Sequence, residues 1–447
     1  YGDYRFTYTG VTDWDYDAWG YDSTSGDLEL TMSTSVSGAE YRHDALLGAG
    51  FPLGPGRMGL FFTYEGMRGD YDGDYMEGYP APAWFETIEM QNGLDAFALN
   101  LIYGLPLGGL NLGGEVQFAY RQEKKEVYDY TSTAAWLNDF YFPQYLYPYD
   151  SEYWEALFKG SLEGAVGPLD VEFTLRGGFI FCGDNEWYSE YQTPIGDPQE
   201  AWDMDGGVQG WQIGGDLWLR YPLGDGLTLP VLVRVNYQQK TRDGDGPGLL
   251  DIAGDYFDYE HEEKDFVLTV GGGVDKVLGT DSKIAAGIYY NYIQHREDFF
   301  WRQDAGGGMW WSNDFIFPDG IKHQALVRLA GEHSLSPAVA LRGGLSFFYG
   351  WVNWEGEYNY NDFLGSWDTL QASGHGSHWG IGASLGATIR FAQFALEPFV
   401  SGGYQQLDLE GDGEAFDAGG LYGLHEEEST RGEWSIGGGL SVLFDLP

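Results

Sequence analysis

The sequence predicts an all-β fold, a transmembrane antiparallel up-and-down barrel of about sixteen strands. Three observations carry this reading. Tight-turn signals recur roughly every 56 residues, at Gly54-Pro55-Gly56, Gly108-Gly109, Gly167-Pro168, Gly224-Asp225-Gly226, Gly279-Thr280-Asp281, Ser336-Pro337 and Ala392-Gln393. The stretches flanking these turns alternate apolar and polar residues over about ten positions or more, the period of a strand with two different faces. Long polar segments then separate one hairpin from the next. Short turns on one side and long loops on the other describe a barrel that crosses a bilayer. A soluble sandwich would show shorter strands and a turn every ~8–12 residues.

Taken in order, the first strand is the least marked. Tyr4-Arg5-Phe6-Thr7-Tyr8, within 1–9, supplies the sixteenth strand needed for even closure. Asp27-Leu28-Glu29-Leu30-Thr31 either pairs in its place or extends the outer hairpin. Strands 39–52 and 57–69 flank the first turn, 92–106 and 111–126 the second, and 152–166 and 169–183 the third. Then follow 207–222 and 227–242, 263–278 and 283–298, 320–334 and 338–354, 376–391 and 394–408, and finally 431–446. The pattern is clearest where Leu227, Leu229, Val231, Val233, Val235 and Tyr237 alternate with Thr228, Arg234, Asn236 and Gln238. It is equally regular where Phe173, Leu175, Phe179 and Phe181 alternate with Glu172, Thr174 and Arg176. Aromatics gather at both ends of the apolar face. Tyr64, Tyr120, Trp154, Trp211, Tyr237 and Trp434 lie toward the long loops, and Phe51, Tyr103, Tyr221, Phe391, Phe394 and Phe444 beside the turns. Two such rings suit the two bilayer interfaces.

Composition excludes other classes. The 33 Tyr, 27 Phe and 17 Trp among 447 residues are too much apolar surface for a disordered chain. One cysteine, Cys182, excludes a disulfide framework. No run of ~18 apolar residues exists, so helical spans are excluded. A net charge of −46 makes nucleic acid a poor partner. No charged-then-apolar leader precedes Tyr1, and so few residues precede the first outer loop that no plug domain is expected. The chain therefore reads as a single barrel over 1–447.

The charge is concentrated at one end. The eight segments read as outer loops, beginning with 10–38 and ending with 409–430, hold 44 of the 69 acids, and Arg302 is their only Lys or Arg. Such a rim gathers cations and repels anions. No cofactor is expected. Ca²⁺ in the acidic loops stays open, although Asp70-Tyr-Asp72-Gly-Asp74 lacks the Gly and Glu of a helix-loop-helix calcium site. The inward face carries Arg121, Lys159, Arg176, Arg220, Arg234, Arg328, Arg342 and Arg390 against Glu115, Glu172, Asp216 and Glu397. A mixed-charge lumen of this kind is wet, and about sixteen strands leave room for an aqueous channel. The charges either line a pore as opposed rows or brace the wall as cross-strand bridges.

The chain resembles, in architecture and over its whole length, bacterial outer-membrane porins of the sixteen-stranded class. Its ending, Leu440-Ser441-Val442-Leu443-Phe444-Asp445-Leu446-Pro447, is similar to their alternating last strand but closes on Leu-Pro instead of Phe. The resemblance implies an outer-membrane location, contact with lipid and lipopolysaccharide, and passive diffusion of small hydrophilic solutes or cations. By resemblance alone a homotrimer is allowed. It also implies that the third outer loop, 127–152, folds inward and narrows the bore through Trp136, Asp139, Phe140 and Tyr145. The ring-rich composition of that loop favours packing over exposure. Its alternatives are a lid or a partner-binding surface.

Two further functions compete with a channel. One is a sheath whose lumen holds another protein, such as a cytochrome. The other is a barrel enzyme at the mouth, for which His375-Gly376-Ser377-His378 is the candidate. That reading requires the histidines and Ser377 to converge with an acid. Gly382-Ala383-Ser384-Leu385-Gly386 matches a nucleophile elbow but falls mid-strand, where that chemistry has no support. The reading adopted is a non-enzymatic channel.

Overall fold

A computed structural model describes residues 2–21, 28–77, 84–133, 141–145, 149–191, 199–247, 255–305, 310–361, 367–417 and 420–444. Every element among them is a β-strand. In chain order these are β1 (Gly2–Tyr21), β2 (Leu28–Leu53), β3 (Gly56–Glu77), β4 (Trp84–Leu107), β5 (Leu110–Thr133), β6 (Tyr141–Tyr145) and β7 (Tyr149–Val166). They continue as β8 (Leu169–Tyr191), β9 (Gln199–Gly224), β10 (Leu227–Pro247), β11 (Asp255–Leu278) and β12 (Ser282–Ala305). The last five are β13 (Trp310–Ser336), β14 (Val339–Asn361), β15 (Trp367–Arg390), β16 (Phe394–Asp417) and β17 (Gly420–Phe444).

Sixteen long antiparallel strands form a closed ring, because β1 pairs with both β2 and β17. Tyr4, for example, faces Ala45 on one side and Leu440 on the other. Closure leaves no sheet edge, which is what a strand structure needs in lipid, where an unpaired N–H or C=O has no water to bond. The short strand β6 sits in the same wall. It pairs Tyr128 with Tyr145 and Ser132 with Tyr141 on β5, and Gln144 with Tyr191 on β8, above the point where β7 begins.

The tight turns form because their residues supply the required dihedrals. Gly54 and Gly167 take φ near +60° ahead of a proline, and Gly108-Gly109 are both positive, as two-residue hairpins demand. Asp225 is the only non-glycine residue with positive φ among those described, within Gly224-Asp225-Gly226.

The strands run well past their expected ends. The hairpin β3–β4 stays in register up to Glu77 opposite Trp84, and β1–β2, with two register shifts on the way, stays paired up to Tyr21 opposite Leu28. Residues 28–31 therefore extend the outer hairpin instead of replacing the first strand. Most of what was expected to be acidic loop is acidic wall. The physical reason is that each zipped hairpin continues its ladder upward at little entropic cost, and Tyr, Trp and Thr in these segments suit strands. A 24-residue strand such as β4, rising ~3.3 Å per residue at ~40° tilt, stands roughly 60 Å tall against an apolar band of ~25 Å.

That band is plain on the exterior. Leu47, Ile213, Ile288, Leu345 and Leu385 are each more than half exposed, and all leave the outer face of their strands. Ring contacts between neighbouring strands mark its upper margin: Tyr120–Trp154 at 5.3 Å, Trp211–Tyr237 at 4.9 Å, Trp379–Tyr404 at 5.5 Å and Tyr8–Trp434 at 5.0 Å. At the lower margin Phe391 stacks on Phe394, and the Phe444 ring lies tilted 6.1 Å from Phe394. An oily belt bounded by two aromatic rings around a closed barrel is the build of an outer-membrane barrel.

Candidate functional site

The inward residues expected to line a pore do face the lumen, and those that bridge bond mainly to neighbouring strands. Arg121 Nε donates to Glu155 at 2.7 Å, and Arg234 Nε donates to Asp216 at 2.7 Å. Arg176 reaches the same Asp216 at 3.2 Å and also donates to Asn236. Lys159 lies 3.7 Å from Glu115, and Arg220 3.9 Å from Glu172. Arg342 bonds Glu397 at 2.7 Å and lies 3.4 Å from Glu332. Arg328 stands over the Tyr289 ring at 5.8 Å, and Arg390 is exposed at the turn end of β15. Such bridges brace the wall while leaving a polar lining.

The lining is uneven around the ring. On β14 to β17 the inward positions within the belt are mostly small: Gly344 and Ser346, Gly382 and Ser384, Ser401 and Gly403, Ser435 and Gly437. On β5 to β10 they include Glu115, Arg121, Glu155, Lys159, Arg176, Asp216 and Arg234. Toward the extracellular end, that charged half closes over part of the bore.

The closure is a collar just above the upper aromatic ring. Alternation continues up β10 through Gln238, Lys240 and Arg242, up β11 through His261, Glu263 and Asp265, and up β12 through His295 and Glu297. From the facing wall, β5 sends in Glu123 and Lys125, and β7 sends Tyr153. Glu123 accepts bonds from Lys240 Nζ at 2.7 Å, Arg242 Nη2 at 2.7 Å and the Tyr153 hydroxyl at 2.5 Å. Three strands, β7, β8 and β9, separate β5 from β10 around the ring. These are therefore struts across the lumen, unlike the wall bridges below. Arg242 also donates to Glu263 at 2.5 Å, and it is almost wholly buried.

Electrostatics fit this arrangement. Burial pushes the Glu123 carboxyl up, but Lys240 and Arg242 outweigh it and hold the pKa down at about 2. Burial lowers the Lys125 pKa, while Glu297 and Glu263 on the far side pull it the other way. On β11 and β12, hydrogen bonds to Asp265 and Glu297 push His295 up to about 10. Glu297 is held below the usual carboxylate range, because His261 and His295 outweigh its burial.

Above the struts lies a dry patch. Met204, Phe257 and Tyr259 are buried together with Phe299 packed on them, all projecting into the lumen. Asn185 ties this patch to the wall, donating to the Tyr259 hydroxyl and accepting from Ser151 Oγ at 2.5 Å. At this point the lumen side of the wall is packed.

The sequence-level constriction falls elsewhere. Tyr145 belongs to β6, whose backbone pairs into the wall between β5 and β8, so this part of 127–152 does not fold into the lumen. Pairing along β5 satisfies backbone groups there, which an inward loop would have to do with side chains. Trp136, Asp139 and Phe140 lie outside the described residues. Nor do His375 and His378 converge. They leave opposite faces of β15, His375 exposed and His378 buried toward the lumen against Phe348. Asp70, Asp72 and Asp74 lie in the extended strand β3 and not in a loop that could wrap one ion. The collar itself escapes sequence reading because its partners stand far apart in the chain, although all of its residues except His261 fall within expected strands. Its signal was there, as an unbroken every-second-residue series of charge.

No protein-family model matches the chain, and no curated protein matches it. Among solved structures, the chain is similar to the Pseudomonas putida toluene transporter TodX, with 11% identity, TM-score 0.31, and 98% of this chain and 89% of that one covered. It is similar also to a Pseudomonas aeruginosa FadL homologue, at 10%, 0.34, 99% and 90%, and to Pseudomonas aeruginosa OccK7, at 10%, 0.28, 99% and 100%. Likenesses at this level carry no functional argument, which rests on the geometry above.

Proposed function

We propose that the protein is a porin-like channel of a bacterial outer membrane, passing small hydrophilic solutes with a preference for cations. The observation that carries this reading is a wet, charge-lined lumen narrowed on one side by the struts from Glu123 to Lys240 and Arg242. Solutes descend from an acidic wall that concentrates cations, pass the collar, and continue along the small-residue half of the lumen. Lipid and lipopolysaccharide face the outer belt. In this reading the barrel passes solutes, and the placement of His375 and His378 on opposite faces of β15 gives no support to an enzyme at the mouth. A sheath around a second protein needs a wide, unobstructed bore, and the cross-lumen struts oppose it. Planar-bilayer recording with reversal potentials in a salt gradient tests the proposal. Stepwise conductance with cation preference is expected, and no conductance or anion preference would overturn it.

A further inference from the structure

Below the dry patch, β11 and β12 bring three ligand-type side chains together on the lumen face. His261 Nε2 lies 2.6 Å from Glu297 Oε1 and 3.9 Å from Glu263 Oε1, and one donor atom from each of the three falls within 4.8 Å of the others. Donors bound at ~2.1 Å around a tetrahedral ion lie about 3.4 Å apart, so small rotamer adjustments close the set. A relay orients the third ligand. Asp265 bonds His295 Nδ1 at 2.6 Å, and His295 Nε2 lies 3.6 Å from the other oxygen of Glu297. This leaves Glu297 Oε1 aimed at His261, the kind of outer support that ligating carboxylates receive.

We propose that His261, Glu263 and Glu297 bind a divalent transition-metal ion, with a fourth position open to the lumen. One imidazole and two carboxylates suit Zn²⁺, Ni²⁺ or Cu²⁺, whereas Ca²⁺ and Mg²⁺ prefer all-oxygen shells. Coordination uses the Nε2 lone pair, so any proton there leaves. Arg242 shares Glu263, but its second nitrogen is held by Glu123 at 2.7 Å. That bond to Glu123 remains when Glu263 turns to an ion. The site rests on side-chain geometry and stands whether or not the barrel conducts.

The test is equilibrium dialysis of the full chain, without a histidine tag, in detergent against buffered micromolar Zn²⁺, with bound metal counted by mass spectrometry. About one Zn²⁺ per barrel above the acidic-surface background is expected, unaffected by excess Ca²⁺. His261→Gln and Glu297→Gln should each weaken binding at least tenfold, while His375→Gln, on the outer face, leaves it unchanged. Resistance of the undenatured barrel to unfolding in detergent reports that each variant is folded. Equal Zn²⁺ binding by folded His261→Gln and wild type, or full displacement by Ca²⁺, would overturn the site.

Discussion

Replacing Glu123 with Gln removes the anchor of the collar while nearly preserving shape. The glutamine accepts the Tyr153 bond but no longer neutralises Lys240 or Arg242, each 2.7 Å away. Removing one member of a buried charge pair costs about 3–5 kcal/mol, and the low end applies because Arg242 keeps Glu263 at 2.5 Å. The pKa gives a consistent figure. A fall from 4.5 to about 2 corresponds to roughly 3 kcal/mol of preference for the charged form. The paired backbone of sixteen strands does not depend on this strut, so the loss should appear as a loosened collar and not as an unfolded barrel. Two decades, or about 100-fold, in the ratio of strutted to unstrutted states follows from ~3 kcal/mol. Single-channel recording is the assay. Glu123→Gln should show higher conductance and more open-channel noise than wild type, with weaker cation preference because one lumen acid is gone. A folded variant with wild-type conductance and noise would refute the idea that these residues span and narrow the bore.

Acid should act through the same group. The folded-state pKa of Glu123 lies below its unfolded value, so its contribution is complete above about pH 4.5 and is lost as pH falls toward 2. Conductance should therefore rise over that window in wild type and stay flat in Glu123→Gln, read by bilayer recording at stepped pH. Ser384→Trp, in the small-residue half, should cut conductance severalfold if solutes descend there, whereas Ser377→Trp, on the outer face of the same strand, should not. Leu385→Lys, at an outward position 68% exposed in the belt, should destabilise the barrel by ~2–4 kcal/mol in urea titrations in lipid. Arg176→Ala, leaving Asp216 still bridged by Arg234 at 2.7 Å, should cost about 1 kcal/mol in the same titration.

The sequence made the barrel legible because its signal is local and redundant. Leu227 to Tyr237 keeps an apolar residue at every odd position, and the Gly-Pro and Gly-Gly turns carry dihedrals few other residues take. The inward placement of Arg121, Arg176, Asp216 and Arg342 followed from the same period of two. What sequence could not give was reach. Glu123 and Arg242 stand 119 positions apart, and only ring closure brings them within hydrogen-bond distance. The strand ends were undercut for a different reason: above the belt both faces are polar, so the contrast that reveals alternation fades although pairing continues. Tyr145 was assigned to a folded-in loop by resemblance, whereas its backbone completes a seam where β7 starts low.

The upward continuation of the ladders has a mechanical consequence. Between Asp70 and Glu77, nearly every residue of β3 is matched on both flanks, to β2 and to β4. A protease must fit its substrate as a lone extended chain, and here no lone chain is offered until two seams have been unzipped at once. The paired acidic strands above the belt thus behave as a stiff chimney: they hold their charge at a set height over the bilayer, so the field they contribute at the mouth is fixed by masonry.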